Sequence, residues 1–271
     1  MNNFHQLYIL TEHDEHYREL ILERQLAGLS VTNDRTQATI LLAAPPMAAR
    51  CLDEFPHLQW LHSAYAGVDT LMAPKLRKNY LLTNVKGIFG HLIAEYVMGY
   101  AIQYQRDFNL YQTQQVERCW QAHPYSSLAN QTLVILGTGS IGSHLACVAK
   151  QFGLRVVGVN RTGIPAKEGH FDATYHISEL LFNVGRGKTL VEQDLPDLIA
   201  AGHIRHAFLD VFIKEPLAQD HPFWSNPAIT ITPHIAAVSF PEQVVDIFAD
   251  NYQRWCDNLP LRNQIDFEKG Y

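Results

Sequence analysis

The stretch LVILGTGSIGSHLACVAKQFGLRVVGVNRTG, at residues 133–163, decides the fold of this chain. Its first four residues are apolar, as in a strand that is buried on both faces. A G-x-G-x-x-G pattern follows at Gly137, Gly139 and Gly142. In such a turn the first glycine permits the sharp bend, the second lets the backbone approach a pyrophosphate, and the third lets the helix pack closely on the strand. The spacing predicts a strand, a glycine turn, a helix and a second strand.

The start of the predicted helix adds a place for an anion. Ser140 and Ile141 would be its first residues, and unpaired N–H groups at a helix N-terminus attract negative charge. Glycine turns of this spacing also occur without a ligand. Here the helix and second strand that follow favour dinucleotide binding over that alternative.

The end of the second predicted strand bears on the choice of cofactor. A site that prefers NAD(H) usually places Asp or Glu there, to accept a hydrogen bond from the ribose 2′-hydroxyl. This chain has Asn160, Arg161 and Thr162 instead, and a guanidinium matches the geometry of a 2′-phosphate. The sequence therefore predicts NADP(H) in preference to NAD(H). The alternative is that Arg161 is a solvated surface side chain.

Composition excludes several other classes of protein. With 47% hydrophobic and 18% charged side chains among 271 residues, we expect a globular chain of one or two domains. The net charge of −6 argues against a general nucleic-acid binder. The cysteines are widely spaced and form no C-x-x-C pair, which favours reduced thiols and a cytoplasmic location. We find no metal-ligand pattern, signal peptide or membrane-length apolar run, and so expect neither a metal nor a membrane.

Strand-like and helix-like segments alternate along the rest of the chain. Strands are predicted at 7–10, 38–43, 58–63 and 80–83, and helices near 15–27, 48–55 and 92–108. This alternation predicts an α/β fold with a parallel sheet covered by helices. Near the end, the sequence SFPE at 239–242 resembles a capping box that begins one more helix. Its apolar face would carry Val244, Val245, Phe248, Tyr252 and Trp255.

Three further segments place reactive side chains directly after strand-like runs. They are NVGRG at 183–187, LDVFIKEP at 209–216 and TPHIA at 232–236. Ligands of open α/β sheets bind beyond the carboxyl ends of strands. Arg186, Glu215 and His234, brought together there, could bind a carboxylate, orient an imidazole and move a proton. Each residue taken alone is more often structural, and their shared placement favours the functional interpretation.

The order of these motifs resembles that of the D-isomer-specific 2-hydroxyacid dehydrogenases, above all the glyoxylate/hydroxypyruvate reductase branch. The sequence LHSAYAGVD at 61–69 is similar to the substrate loop of that family. The resemblance implies a Rossmann-type doubly wound parallel sheet in an NAD(P)-binding domain at residues 91–239. It also implies a smaller, flavodoxin-like α/β substrate domain, formed by residues 1–90 and 240–271.

The resemblance also implies an activity and a role for each reactive residue. The enzyme would use NADPH to reduce a small 2-oxo acid to the D-2-hydroxy acid. Arg186 would bind the substrate carboxylate and polarise the oxo group, and His234 would donate the proton. Glu215 would hydrogen-bond His234 and favour its protonated form.

Further contacts are implied with the substrate and the cofactor. Tyr65, Ala66 and Gly67 would bind the substrate, with backbone amides of the loop, including that of Val68, on its carboxylate. The nucleotide would contact the glycine turn and residues 160–162 and, in addition, Val184, Gly185, Asp210 and His234. Asp210 would face the nicotinamide carboxamide. Members of the family are usually dimers, so a homodimer is expected, with residues 111–120 as its arm.

One departure from the family pattern is large. A candidate third strand at 173–177 is separated from the apolar run at 181–184 by three residues. Parallel neighbours need a crossover of about a dozen residues, and a complete βαβ unit takes roughly 30. A segment that includes a central strand is thus expected to be missing between Leu180 and Leu181. Two hypotheses follow: an active reductase, favoured by the retained Arg186, Glu215 and His234, or a truncated, catalytically impaired relative that acts as a dinucleotide-binding or interaction protein.

Overall fold

The protein is described from a computed structural model, in which residues 4–129, 131–159 and 180–268 are described. The chain divides into two compact units. The first consists of Met1–Ile88 and Ser239–Tyr271, and the second of Phe89–Val238.

Strands and helices alternate in both units. In chain order the strands are β1 His5–Leu10, β2 Leu29–Val31, β3 Ile40–Ala43, β4 Trp60–Ser63, β5 Leu81–Thr83, β6 Thr132–Leu136, β7 Arg155–Val159, β8 Leu180–Asn183, β9 His206–Leu209 and β10 Ile229–Ile231. The helices are α1 Asp14–Glu23, α2 Pro45–Cys51, α3 Gly90–Gln105, α4 Phe108–Val116, α5 Ser140–Gln151, α6 Leu195–Ala200 and α7 Pro241–Cys256. All pairings between these strands are parallel, so the predicted α/β class is confirmed.

The first unit is built on a sheet with the strand order β2-β1-β3-β4-β5. This is the flavodoxin-like order, in which the chain reverses direction across the sheet after the second strand. All four residues of β3 are buried, because the strand lies in the middle of the sheet and helices cover both faces. On one face Leu41 and Leu61 pack with Phe55, and on the other Trp60 stacks on Phe248 of α7 at a ring separation of 5.1 Å.

Helix α7 has the predicted apolar face but a different start. Val244, Val245, Phe248 and Tyr252 are buried. The predicted capping box with Ser239 is wrong, because the residue that caps the helix is Phe240 and no side chain bonds the first turn. Proline is favoured at the first helical position, and Pro241 therefore places the cap one residue later than Ser239.

The second unit contains two separate sheets within the described residues. Strands β6 and β7 pair with each other, and β10-β9-β8 form a three-stranded sheet. A complete doubly wound fold would join these sheets through a strand between β6 and β8. On β6, Ile135 is buried, whereas Leu136 is 68% exposed. The described part of the unit thus has the arrangement expected when the central strand is missing.

The predicted long helix at 92–108 corresponds to α3, which spans Gly90–Gln105 and ends three residues earlier than predicted. Asp107 adopts a left-handed backbone conformation with φ of 51°, which ends α3 and turns the chain into α4, because continuous helix requires negative φ. None of the described helices combines the length and the hydropathy needed to cross a membrane.

Candidate active site

The glycine turn has the shape that the sequence predicts. Gly137 has φ of +105°, a value that side chains with a Cβ rarely adopt. A Cβ on Gly142 would overlap the carbonyl oxygen of Gly137, whereas one on Gly139 would meet no protein atom within 4 Å. The third glycine is therefore needed for packing, and the second faces open space. This division of roles fits a pyrophosphate lying against Gly139.

The helix that follows presents free donors to that space. The first hydrogen bond between the helix and the turn joins Ser143 N to the Gly139 carbonyl at 2.8 Å. The N–H groups of Ser140, Ile141 and Gly142 precede it, and the N-terminus of a helix carries a partial positive charge. The residues thus fit the phosphates of a dinucleotide. Residues 160–162, predicted to select the cofactor, lie outside the described residues.

The three reactive loops leave one edge of the β10-β9-β8 sheet. Arg186 follows β8, Glu215 follows β9, and His234 follows β10. Because the strands are parallel neighbours, their carboxyl ends lie side by side. The shared placement inferred from sequence thus has a direct structural cause.

Glu215 orients the imidazole of His234. Its Oε2 lies 2.8 Å from Nδ1 of the ring, and its Oε1 accepts a hydrogen bond from the Phe212 amide at 2.9 Å. With Nδ1 bound in this way, Nε2 is the ring nitrogen left for other partners. The His234 side chain is 56% exposed. The pair can therefore present Nε2 to a small molecule as a proton donor or acceptor.

The arginine loop packs directly on the loop that carries Glu215. A Cβ on Gly187 would overlap the backbone of Phe212 and Ile213, so only glycine permits this close approach. Arg186 is exposed, and its guanidinium donates a hydrogen bond to the Gly185 carbonyl at 2.8 Å. The neighbouring Val184 is half-buried. The structure thus brings the Arg186 and Glu215 loops together, with a cation at the surface.

Asn183 is a positioning residue for this loop to which the sequence analysis assigned no role. Its side chain is buried, its amide donates to the Arg186 carbonyl at 3.3 Å, and its Oδ1 accepts from the Gly185 amide at 3.4 Å. Asparagine commonly bonds the backbone of the turn that follows it. The asparagine that opens the NVGRG motif was the available signal.

Asp210 accepts hydrogen bonds from the loop at 232–236 that carries His234, here called the histidine loop. Its carboxylate is 2% exposed and accepts hydrogen bonds from the Thr232 hydroxyl at 2.5 Å and from the Ile235 and Ala236 amides at 2.8 and 2.9 Å. An ionised carboxylate has about four acceptor sites, so these donors take most of them. The contact with a nicotinamide carboxamide remains a prediction.

The predicted substrate loop lies after β4 in the first unit. Asn84 donates to the Ala66 carbonyl at 2.6 Å, and the Tyr65 hydroxyl donates to Glu12 at 2.9 Å. Burial raises the pKa of Tyr65 to about 12. Among the described residues, none accepts a hydrogen bond from the amides of Ala66 or Gly67. Adjacent free amides of this kind can bind an anion.

A glycine turn with helix donors, an oriented His–Glu pair and an exposed arginine define an α/β oxidoreductase that uses a dinucleotide. A family model described as D-isomer specific 2-hydroxyacid dehydrogenase, NAD binding domain, matches residues 98–181 and 173–236. The chain belongs to the D-isomer-specific 2-hydroxyacid dehydrogenase family.

Relatives match over almost the whole chain. Glyoxylate/hydroxypyruvate reductase A of Klebsiella pneumoniae subsp. pneumoniae is 28% identical over 306 residues, covering 95% of this chain and 97% of that protein. A D-isomer specific 2-hydroxyacid dehydrogenase family protein from Aeromonas salmonicida subsp. salmonicida has a crystal structure with a TM-score of 0.91 and 37% identity, covering 97% of this chain and 99% of that one. The NADPH-dependent glyoxylate/hydroxypyruvate reductase of Sinorhizobium meliloti, solved with NADP and sulfate, has a TM-score of 0.82 at 21% identity, covering 98% and 100%. At that identity it shows the fold alone.

The same comparisons bear on the short link before β8. The two matched pieces of the family model overlap at residues 173–181, where the link was found to be too short. The Klebsiella alignment has 306 positions against the 271 residues of this chain, so at least 35 residues of that relative have no counterpart here. Both observations support the loss of an internal segment.

Proposed function

We propose that this protein is an NADP(H)-dependent reductase that converts a small 2-oxo acid, such as glyoxylate or hydroxypyruvate, to the D-2-hydroxy acid. The observation that carries the proposal is the 2.8 Å contact between Glu215 Oε2 and His234 Nδ1. It leaves Nε2 of an exposed imidazole available, on the unit that also carries the arginine loop and the glycine turn. The names of the related reductases support the substrate class.

The chain's own residues supply binding and the proton. The hydride for the 2-oxo carbon would come from bound NADPH. The Arg186 guanidinium would bind the substrate carboxylate with two parallel hydrogen bonds and draw electron density from the oxo group. The His234 Nε2 proton would pass to the oxo oxygen as the alcohol forms, and the Glu215 carboxylate would stabilise the charged imidazole. Tyr65, Ala66 and Gly67 are proposed as further substrate contacts, because the free amides of Ala66 and Gly67 suit a carboxylate.

The nucleotide would bind to the second unit, Phe89–Val238, which corresponds to the NAD(P)-binding domain predicted at residues 91–239. Val184, Gly185 and Asp210 lie at the carboxyl ends of β8 and β9, where ligands of such sheets bind. The preference for NADP(H) over NAD(H) rests on Arg161 and on the absence of an acidic residue at 160–162.

Two features of the whole protein are also proposed. A homodimer is supported by a groove beside α4 with a fully exposed Trp120, lined by Tyr111, Gln114, Arg118 and Trp120. A cytoplasmic location is supported by the four free cysteines, since the cytoplasm keeps thiols reduced.

The second candidate function is that of an impaired relative that binds a dinucleotide or a partner without turnover. The separation of β6–β7 from β10-β9-β8 in the described residues favours it. The glycine turn lies on one of these sheets and the reactive loops lie on the other, and no described strand joins the two.

Oxidation of NADPH by the purified protein in the presence of glyoxylate tests the first proposal. We expect turnover by the wild type and a loss of about 10²- to 10⁴-fold in His234→Ala, with NADPH binding retained, since general acid catalysis is worth that much. His203→Ala, at an exposed histidine of the same unit, is the matched control. Hydroxypyruvate should give D-glycerate. NADPH binding without turnover of either acid would favour the second candidate.

A further inference from the structure

We infer that Tyr96 and Thr232 are positioning residues for His234 and that they act through the carboxylate of Asp210. The inference deepens the proposed function and rests on it, because it concerns the residue assigned as the proton donor. The sequence analysis assigned no role to Tyr96 or to Thr232, although Thr232 opens the TPHIA motif.

The backbone at His234 needs external support. Its φ is +54°, in the left-handed region that residues other than glycine occupy when surrounding contacts hold them there. The His234 amide donates to the Asp210 carbonyl at 2.9 Å. That bond fixes the backbone of the histidine but leaves the residues on either side of it to be held by other groups.

The Asp210 carboxylate holds both sides of the histidine. Before it, the Thr232 hydroxyl donates to Oδ1 at 2.5 Å; after it, the Ile235 and Ala236 amides donate to Oδ1 and Oδ2 at 2.8 and 2.9 Å. No Lys, Arg or His among the described residues forms an ion pair with this carboxylate. Hydrogen-bond donors therefore stabilise its charge, and each donor matters more than it would beside a cation.

The direction of the hydrogen bonds follows from the number of protons that each hydroxyl can donate. A threonine hydroxyl has one proton, and that of Thr232 goes to Asp210. The Tyr96 hydroxyl, 2.7 Å from Thr232 Oγ1, must then be the donor to Thr232. Burial raises the pKa of Tyr96 to about 12, so the phenol keeps its proton at neutral pH. The chain runs from Tyr96 on α3 through Thr232 to Asp210.

Substitutions at Thr232 separate the hydroxyl from the shape of the side chain. Thr232→Val removes the donor at nearly constant volume, and Thr232→Ser restores it. We expect Thr232→Val to lower kcat by roughly 10- to 100-fold, because small displacements of a catalytic group are expensive. NADPH affinity should change little, the melting temperature should fall by a few degrees because a buried carboxylate loses a donor, and Thr232→Ser should recover most of the turnover and of the melting temperature. Tyr96→Phe, which keeps Thr232 and Asp210, should have a smaller effect in the same direction.

The matched control is Thr230→Val on β10. Its hydroxyl contacts His206 Nε2 at 2.9 Å, away from the histidine loop. Turnover should be unchanged in this variant. Equal losses in Thr232→Val and Thr232→Ser, or wild-type turnover in Thr232→Val, would overturn the inference.

Amide hydrogen exchange tests the same network without turnover. The Ile235 and Ala236 amides should exchange faster in Thr232→Val than in the wild type, and at the wild-type rate in Thr232→Ser and Thr230→Val. If the wild type does not reduce glyoxylate, the proposed function fails, yet the exchange rates still decide whether the hydroxyl holds the loop. Unchanged exchange in Thr232→Val would overturn the inference whatever the activity.

Discussion

A buried imidazole in the first unit links the stability of the protein to pH. His62 is fully buried on β4, and its Nδ1 lies 2.8 Å from the Thr83 hydroxyl. Burial lowers the pKa of His62 from 6.5 to about 3. Folding therefore favours the neutral ring. As the pH falls below 6.5 the unfolded chain binds a proton that the folded chain does not, and stability is lost between pH 6.5 and about 3.

Replacement of this ring with an amide should reduce the acid sensitivity. At pH 4.5 the proton on the unfolded chain costs roughly 2–3 kcal/mol relative to pH 7. The free energy of unfolding, measured in urea, should therefore fall between pH 7 and pH 4.5 by roughly 2–3 kcal/mol less in His62→Gln than in the wild type. His57→Gln, at an exposed position, should behave as the wild type does. An equal pH dependence in His62→Gln would show that other groups account for the acid sensitivity.

The proposed preference for NADP(H) depends on a single residue, Arg161. One lost hydrogen bond between Arg and a phosphate costs about 1.5–3 kcal/mol, or roughly 10- to 150-fold in affinity. Arg161→Ala should weaken NADPH binding by this factor and leave NADH binding unchanged in fluorescence titrations. Arg155→Ala, which removes an exposed arginine from β7, is the control. Equal affinity of the wild type for both cofactors would contradict the preference.

Contacts between site residues could be predicted from sequence where an ordered set of motifs indicates them, and not where no motif links the two residues. The structure places Glu215 against His234, as the order of the motifs implied. It also shows Asp210 bonded to Thr232 and Ala236, more than twenty residues away, and Tyr65 bonded to Glu12. Such pairs depend on the tertiary fold, and the local spacing of residues in the sequence does not reveal them.

At the scale of the element, the glycine turn can be divided into a packing part and a binding part. Gly142→Ala should lower both the melting temperature and NADPH affinity, because its Cβ would overlap the Gly137 carbonyl oxygen. Gly139→Ala should keep the melting temperature and lose NADPH affinity, because its Cβ would meet only the ligand. Gly99→Ala, at an open position of α3, is the control and should gain up to about 1 kcal/mol. Retained NADPH affinity in Gly139→Ala would place the pyrophosphate elsewhere.

Hydrophobic runs in the sequence predicted the positions of strands well, whereas helix ends and short strands were predicted less well. The apolar runs of β3 and β4 predicted both strands within two residues of their observed starts. Strand β2 was not predicted, because it has three residues and none of them is fully buried. The end of α3 at Gln105 was predicted three residues too late, since the left-handed aspartate at 107 carries no strong local signal.

At the scale of the whole molecule, the described residues of the second unit form two sheets that no described strand joins. Strand β8 already contains Leu180, so the missing segment belongs before Leu180 and not between Leu180 and Leu181. The described residues leave β6 with β7 as its one partner. An apolar strand with an unpaired edge favours aggregation.

Restoring the segment should restore the sheet. The residues of the Klebsiella pneumoniae reductase that have no counterpart here, inserted between Glu179 and Leu180, should raise the melting temperature and increase NADPH affinity and turnover of glyoxylate. A glycine–serine insert of equal length should do neither. If the unmodified chain already melts cooperatively and turns over glyoxylate as fast as the Klebsiella enzyme, the sheet does not need the segment.

The close approach at Gly187 has a genetic consequence. Any single-nucleotide change in a glycine codon that alters the amino acid introduces a side chain with a Cβ. At position 187 the backbone of Phe212 and Ile213 already fills that space, whereas at position 99 it is empty. In a saturation library selected for 2-oxo acid reduction, codon 187 should therefore return glycine alone, while codon 99 should return many residues.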